Sequence, residues 1–337
     1  MEPGLLKSAD WPFLIDLYFF LGGIAGGAFV IATVATLLDA QRYRDLTRVG
    51  YYLALLAILP GPILLTVDLG IPSRFLHMLM VSKPTTAIGM HAINIGPFHL
   101  KPFSPMSAGA WALMVFSACA FLAALLTFLE DRGNPRLGTT RLVIGIVGGV
   151  FGFFIAAYPG VLLGATARPL FISAHWLGAL FLAVGAATGG AAIALVLSLV
   201  GGQTSDSLSR LMKVTAIALV LSLVGGQTSD SLSRLMKVTA IALVLELVFL
   251  ALFVVSVSAT GSRGIREALA QLLVGSDAIF FWVGAVVVGL VIPLLLQVGG
   301  VIRKATPGMT ALVSALVIVG GFLVKYVIIV AGQRVLS

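Results

Sequence analysis

Charged residues fall in short clusters along this chain, and long apolar stretches run between them. The stretches lie at about 12–38, 49–71, 107–129, 141–165, 170–200, 238–259, 277–299 and 308–332. Each approaches or exceeds the roughly 20 residues that a helix needs to cross about 30 Å of hydrocarbon. Apolar positions within them are continuous, not alternating, which predicts helices and not the period-two strands of a barrel. Pro169, after the short turn Thr166–Ala167–Arg168, marks the start of the fifth stretch. The connection over 72–106 is rich in Pro, Gly and His and shows no clear period. Loops of that length inside an ordered protein are usually functional or dock a partner.

One segment breaks the pattern. Residues 192–215 recur letter for letter as 216–239, and a third copy starts at Ala240 and diverges at Glu246. The apolar part of the middle copy, Val214 to Val224, would cover only about 17 Å as a helix, too short to span. Residues 201–237 therefore read as one polar connection with a helical, interfacial insert. Eight spans are expected with or without the extra copy. The halves 1–169 and 170–337 then read as two four-helix bundles, the first with the outer loop 72–106 and the second with the duplicated segment 192–239.

Composition agrees with the spans. The chain of 337 residues is 59% hydrophobic and 10% charged, with a mean hydropathy of +1.11. Soluble domains carry about 25% charged residues, and disordered chains combine low hydrophobicity with high charge, so both classes are excluded. The fold class expected is an all-α polytopic membrane protein with about eight transmembrane helices. The single cysteine, Cys119, lies in an apolar run, which excludes a disulfide framework and an iron–sulfur cluster ligated by this chain alone. Four histidines are few for haem. The first apolar run, from Trp11, is long enough to span and shows no processing site.

The net charge of +8 would suggest nucleic acid in a soluble protein. Here the basic residues sit in short loops, where the positive-inside rule accounts for them. Arg42, Arg44, Arg48, Arg132, Arg136, Arg141, Arg210, Lys213, Arg234, Lys237, Arg303 and Lys304 fall on one side, twelve in all. Lys7, Arg74, Lys83, Lys101, Arg168, Arg263, Arg266 and Arg334 fall on the other, eight in all. The first side is expected to be cytoplasmic, so both termini and the 72–106 loop face outward.

Ionisable groups within a span are costly and mark sites by default. Asp16, Asp68, Glu246, Lys325 and Asp277 are such groups. By topology Asp16, Tyr18, Asp68, His77, Tyr158 and Arg168 share the outer depth, under the loop. An acid, two phenols and an imidazole can exchange protons and hydrogen bonds with a quinone head group while apolar spans hold its tail. The glycines Gly22, Gly23, Gly26 and Gly27 suit close helix packing. Glu246, Lys325 and Asp277 form a second group, read either as a proton path or as a structural polar set. Arg74, His91 and His99 belong to the outer loop and are candidates for partner docking. His175 reads as an interfacial or packed histidine. No metal-ligand set is visible.

Five stretches resemble the NrfD/polysulfide reductase membrane-subunit family. They are Asp10-Trp11-Pro12 with IDLYFFLGGIAGGAF at 15–29, LLTVDLGIPSRFLHML at 64–79, SPMSAGAW at 104–111, AAYPGVLLGATARPLF at 156–171 and GGFLVKYVIIVAGQ at 320–333. They occur in order over nearly the whole chain. The resemblance implies a haem-free subunit of a respiratory oxidoreductase in the prokaryotic inner membrane. It implies a bound menaquinone or ubiquinone, a docked iron–sulfur electron-transfer subunit, and a molybdopterin or multihaem cytochrome catalytic subunit. It also implies quinone contacts at Tyr18 and Tyr158, with Asp68 and Arg74 in the second-span motif. Tyr18 stands where a histidine can occur in the family.

A second class, a secondary transporter, would use Glu246 and Lys325 as coupling residues and breaks near Pro60-Gly61-Pro62 and Pro159-Gly160 as a midplane site. A third reading is a passive anchor for soluble subunits. A di-haem cytochrome would need paired histidines across a bundle, and only His77 and His175 lie near spans.

Overall fold

The computed structural model describes residues 11–80, 93–101, 104–133, 137–166, 168–201, 229–260, 263–298 and 307–334. Eight helical spans long and apolar enough to cross a membrane stand among them. The first is α1 (Phe13–Asp39). The second is broken: α2 (Arg44–Ile58) passes into α3 (Pro60–Asp68) at Leu59. Pro60 has no N–H for the helix ladder, which interrupts the hydrogen bonding there while Leu59 keeps a helical conformation, and the span ends at Asp68, short of the expected 71.

The outer connection contains α4 (His77–Met80) and a hairpin of β1 (Ile93–Ile95) and β2 (Phe98–Leu100). The strands pair antiparallel, with Asn94 opposite His99. Gly96 turns the hairpin at φ +61°, the left-handed value that the first position of a two-residue II′ turn demands. This ordered hairpin was not legible as a period in the sequence, because three residues per strand are too few to show one.

The next spans are α5 (Pro105–Asp131) and α6 (Gly138–Gly164). After the one-turn α7 (Pro169–Ile172), the fifth span is α8 (Leu177–Gly201), starting later than the expected residue 170. The sixth is α9 (Ser229–Ala259). It begins well inside the stretch read from sequence as a polar connection. Its first turns are amphipathic: Leu235, Met236 and Thr239 are buried while Arg234 and Lys237 are exposed, so one face packs and the other meets solvent. The connection 202–228, which holds the end of the first repeat copy and the start of the second, lies outside the described residues.

Helix α10 (Arg263–Leu273) follows, with Ile265, Ala268, Leu269 and Leu272 buried at i, i+3, i+4 and i+7. The seventh span opens with a π-helical stretch, Phe280–Val291, and continues as α11 (Ile292–Val298). The eighth is α12 (Pro307–Arg334).

Helix α8 lies at the centre. It packs against α1, α6, α9 and α12, while α1 also packs on α2 and α6, and α5 on α6. Small residues allow this. A side chain at Gly27 would strike the Gly185 carbonyl of α8, and one at Gly26 the Gly152 carbonyl of α6. The backbones touch because neither helix carries a Cβ there. Large apolar side chains such as Val150, Phe153, Val161, Ile241 and Val255 point outward, as on lipid-facing surfaces. The chain is an all-α polytopic membrane protein, with one short hairpin among the described loop residues.

Three arginines at one end of the bundle are paired with acids locally. Arg48 and Arg44 both donate to Asp131, and Arg141 Nε lies 3.1 Å from Glu130 Oε1. The positive-inside bias counts Lys and Arg and is little altered by such acids.

Candidate functional site

Successive residues of a helix turn by 100°, so residues two apart face opposite ways. Tyr18 and Asp16 therefore diverge. Tyr18 shares a face with Gly22, Gly26 and Thr33, which meet α6. Asp16 shares a face with Phe20, Gly23 and Gly27, which meet α8 and α12. Of the six residues expected to share one outer depth, Tyr18 and Asp16 thus lie on opposite sides of α1.

The first neighbourhood is built around two phenols. Tyr18 is 5% exposed and its ring packs on Gly61, 3.2 Å from where a Cβ would stand. Pro60 and Pro62 flank that glycine, so the helix break provides the flat seat for the ring. Tyr158, 6% exposed, comes from α6 and lies against Gly109 of α5. Phe154 stacks on it with ring centroids 5.5 Å apart. The two phenols are within electrostatic reach of each other. Neither hydroxyl has a hydrogen-bond partner among the described residues. One residue on, Pro159 sits inside α6. At Gly160 a Cβ would come within 2.6 Å of the Gly178 nitrogen, so the PG pair lets α6 and the start of α8 touch beside Tyr158.

Asp68 is half-buried at the end of α3. Arg74 and His77 are exposed just beyond it. His99 stands on β2, where its carbonyl accepts from Trp111 Nε1 at 3.1 Å. His91 lies outside the described residues. His175 is exposed in the turn before α8.

The second neighbourhood lies across α1. Lys325, 1% exposed in the middle of α12, donates from Nζ to the Phe19 carbonyl at 3.0 Å and lies 5.2 Å from the Phe181 ring centroid. A Cβ at Gly23 would fall 2.5 Å from that Nζ. The glycine motif of α1 is therefore not only a packing stripe: Gly23 leaves the notch that admits an ammonium. Glu246, also 1% exposed, comes from α9 within electrostatic reach of Lys325. Neither of its carboxylate oxygens has a hydrogen-bond partner. Thr310 and Ser314, one turn apart on α12, and Gln297 of α11 add further buried polar atoms without partners. Those three were missed in the sequence because hydroxyls and amides blend into apolar runs.

Asp16 is 3% exposed, and its Oδ1 has no partner. Arg168 is 2% exposed and donates from Nη1 to the Gln333 carbonyl at 2.6 Å. Gln333 Nε2 in turn donates to the Trp11 carbonyl at 3.1 Å. Gln333, bonded to Arg168 through its carbonyl and to Trp11 through its side chain, therefore links three motif segments: the N-terminal stretch, the α6–α7 turn and the end of α12. Asp277 is buried in the turn before the π-helical stretch, and its Oδ1 is 3.5 Å from Ser276 Oγ.

The chemistry on offer is acid–base and hydrogen bonding by phenols, carboxyls and one amine. Among the described residues no three His, Cys, Asp or Glu side chains converge as a metal site.

Comparison with known proteins bears on the whole length of the protein. Residues 2–337 match the family model described as polysulphide reductase, NrfD. The C chain of the polysulfide reductase of Wolinella succinogenes is 24% identical over 334 residues, 96% of the present sequence and 94% of that protein. The NrfD homolog of Haemophilus influenzae is 25% identical over 343 residues, again 96% of the present sequence and 94% of that protein. The C subunit of the selenate reductase of Mesobacillus selenatarsenatis is 23% identical over 110 residues, 33% of the present sequence and 25% of that protein. The family match covers every segment that builds the surroundings of Tyr158 and Lys325, and the chain belongs to the NrfD polysulphide reductase family.

Proposed function

We propose that this protein is the quinone-reactive membrane subunit of a respiratory oxidoreductase complex. It exchanges electrons with a docked iron–sulfur subunit and protons with the outer face of a prokaryotic inner membrane. Its relatives carry the names of reductase subunits, which supports the coarser part of the reading, a membrane subunit of an oxidoreductase complex. The observation that carries the finer part is the pair Tyr18 and Tyr158. Two largely buried phenols from different helices stand within electrostatic reach of each other, and no bond to a described residue occupies either hydroxyl, so both are available to donate to a ligand.

A quinone, when bound, supplies two-electron, two-proton chemistry. Tyr18 and Tyr158 would hold it by donating from their hydroxyls to its carbonyl oxygens. Asp68, half-buried at the outer end of α3, can take up or return protons between that site and the surface. The break at Pro60 and the seats at Gly61 and Gly109 fix both rings, so the donors are oriented before the ligand arrives. Asp16 and Arg168, across α1, support the outer end of the bundle. Arg74, His77, His91 and His99 belong to the face where the electron-transfer partner docks. Glu246, Lys325 and Asp277 form a proton path in the second half of the chain.

The test is quinol-linked turnover and quinone content of the complex purified from membranes. Wild type is compared with Tyr18→Phe, Tyr158→Phe and Asp68→Asn. Quinone should copurify with wild type, and the tyrosine variants should lose turnover with the complex intact. Unchanged turnover in all three variants would leave a passive anchor as the reading. Absence of both quinone and a partner subunit would favour a transporter.

A further inference from the structure

The first turns of α5 grip two different things on two faces. Ser107 and Trp111 are four residues apart and lie one above the other. Ser107 Oγ accepts from the Lys101 backbone N–H at 3.1 Å, and Trp111 Nε1 donates to the His99 carbonyl at 3.1 Å. The Phe98 ring meets Trp111 edge-on at 5.7 Å between centroids. These contacts clip the outer hairpin to the helix. Gly109 lies two residues from each grip and so faces the other way. It continues into the buried positions Ala112, Leu113 and Phe116. There Tyr158 fills the place of the missing side chain: a Cβ at Gly109 would strike the phenol carbon and hydroxyl and come within 2.7 Å of Cε2. Phe154 stacks on the same ring, which limits its retreat.

We propose that Gly109 is a positioning residue for Tyr158. The same two turns of α5, through Ser107 and Trp111, then hold the hairpin β1–β2 in register with that phenol. A change in the seating of the hairpin is thereby felt at Tyr158. The functional consequence rests on the reading of Tyr158 as a quinone contact, but the packing relation does not.

The experiment uses the complex purified from membranes and two readouts, steady-state quinol turnover and thermal unfolding. Gly109→Ala should raise KM for quinol about 10- to 100-fold with subunits still associated, as expected for a displaced ligand contact. In a Tyr158→Phe background it should add roughly twofold or less, because the residues act as one unit. The Tm lost in Gly109→Ala should return when Tyr158→Leu vacates the space. Trp111→Phe, which removes the bond to His99, should shift KM in the same direction by less. Full multiplication of the Gly109→Ala and Tyr158→Phe effects, or an unchanged KM in Gly109→Ala, overturns the proposal. If Tyr158→Phe alone is silent, the quinone reading falls. Recovery of Tm by Tyr158→Leu then still decides whether Gly109 positions the ring.

Discussion

Lys325 shows how much one residue can be set by its surroundings. Its amine reaches a main-chain carbonyl 306 positions away, in a notch that exists because Gly23 has no side chain. Glu246 stands close enough to interact but not to bond. Removing one member of a buried charged set leaves the other uncompensated, whereas removing both can be nearly neutral. Glu246→Gln and Lys325→Met should each lower the unfolding free energy by about 3 kcal/mol, and the double variant by clearly less than the sum. Thermal unfolding in detergent reads this directly. Arg168 is a simpler case, a buried guanidinium bonded to the carbonyl near the end of α12. Arg168→Ala should cost about 2 kcal/mol, the usual range for a hydrogen bond to a charged group. It should also open the end of α12 to limited proteolysis before the rest unfolds. An unchanged cleavage rate there would refute the role of Arg168 as a tie.

Elements in this protein meet where glycine meets glycine. Gly289 of the π-helical stretch and Gly320 of α12 touch so closely that a Cβ on either would strike the other backbone. Without a hydrophobic drive between helices in lipid, such close approach is a main source of association. Gly320→Leu should force the seventh and eighth spans apart at a cost of about 1–3 kcal/mol, the usual penalty for overpacking. Cross-linking of cysteines introduced at the outer ends of these two spans would report the separation as a lower yield. The break between α2 and α3 belongs to this scale as well. Pro60 ends one helix and starts the next, and Gly61 beside it seats Tyr18. A sequence shows the proline but not which ring will use the flat place it makes.

At the scale of the whole molecule, orientation is the open quantity, and it has a direct test. Cys119 is the only cysteine and is buried, so Cys119→Ala provides a clean background for labelling. A cysteine at Gly96, on the hairpin turn, should react with an impermeant thiol reagent from outside intact cells. One at Gly133, after α5, should react only after lysis. The reverse pattern would invert the topology and with it the side of the proposed Tyr18–Tyr158 site. The test is independent of quinone chemistry.

Much of the architecture is legible in the sequence. Eight apolar runs became eight spans because each must satisfy its backbone internally, and continuous apolar sequence leaves only the helix. The start of α9 at Ser229 was not legible, because amphipathic turns at a membrane surface look polar when their buried face is unknown. The site was legible in kind. Asp16, Tyr18, Tyr158, Glu246 and Lys325 stand out as polar groups in apolar runs, and all five are buried in the fold. The separation of Asp16 from Tyr18 follows from helical geometry alone. What each side then faces does not, since no local pattern says which helix will lie there.

The sequence by itself determined the class, the number of spans and the short list of polar residues, because these follow from hydropathy summed along one segment at a time. Tertiary structure alone decided that Tyr158 rests on Gly109, that Lys325 caps the Phe19 carbonyl through the gap at Gly23, and that Arg168 and Gln333 together link three distant segments. Those are contacts between helices, set by where a Cβ is missing on one and a polar side chain arrives from another. A single helix carries no record of its partner.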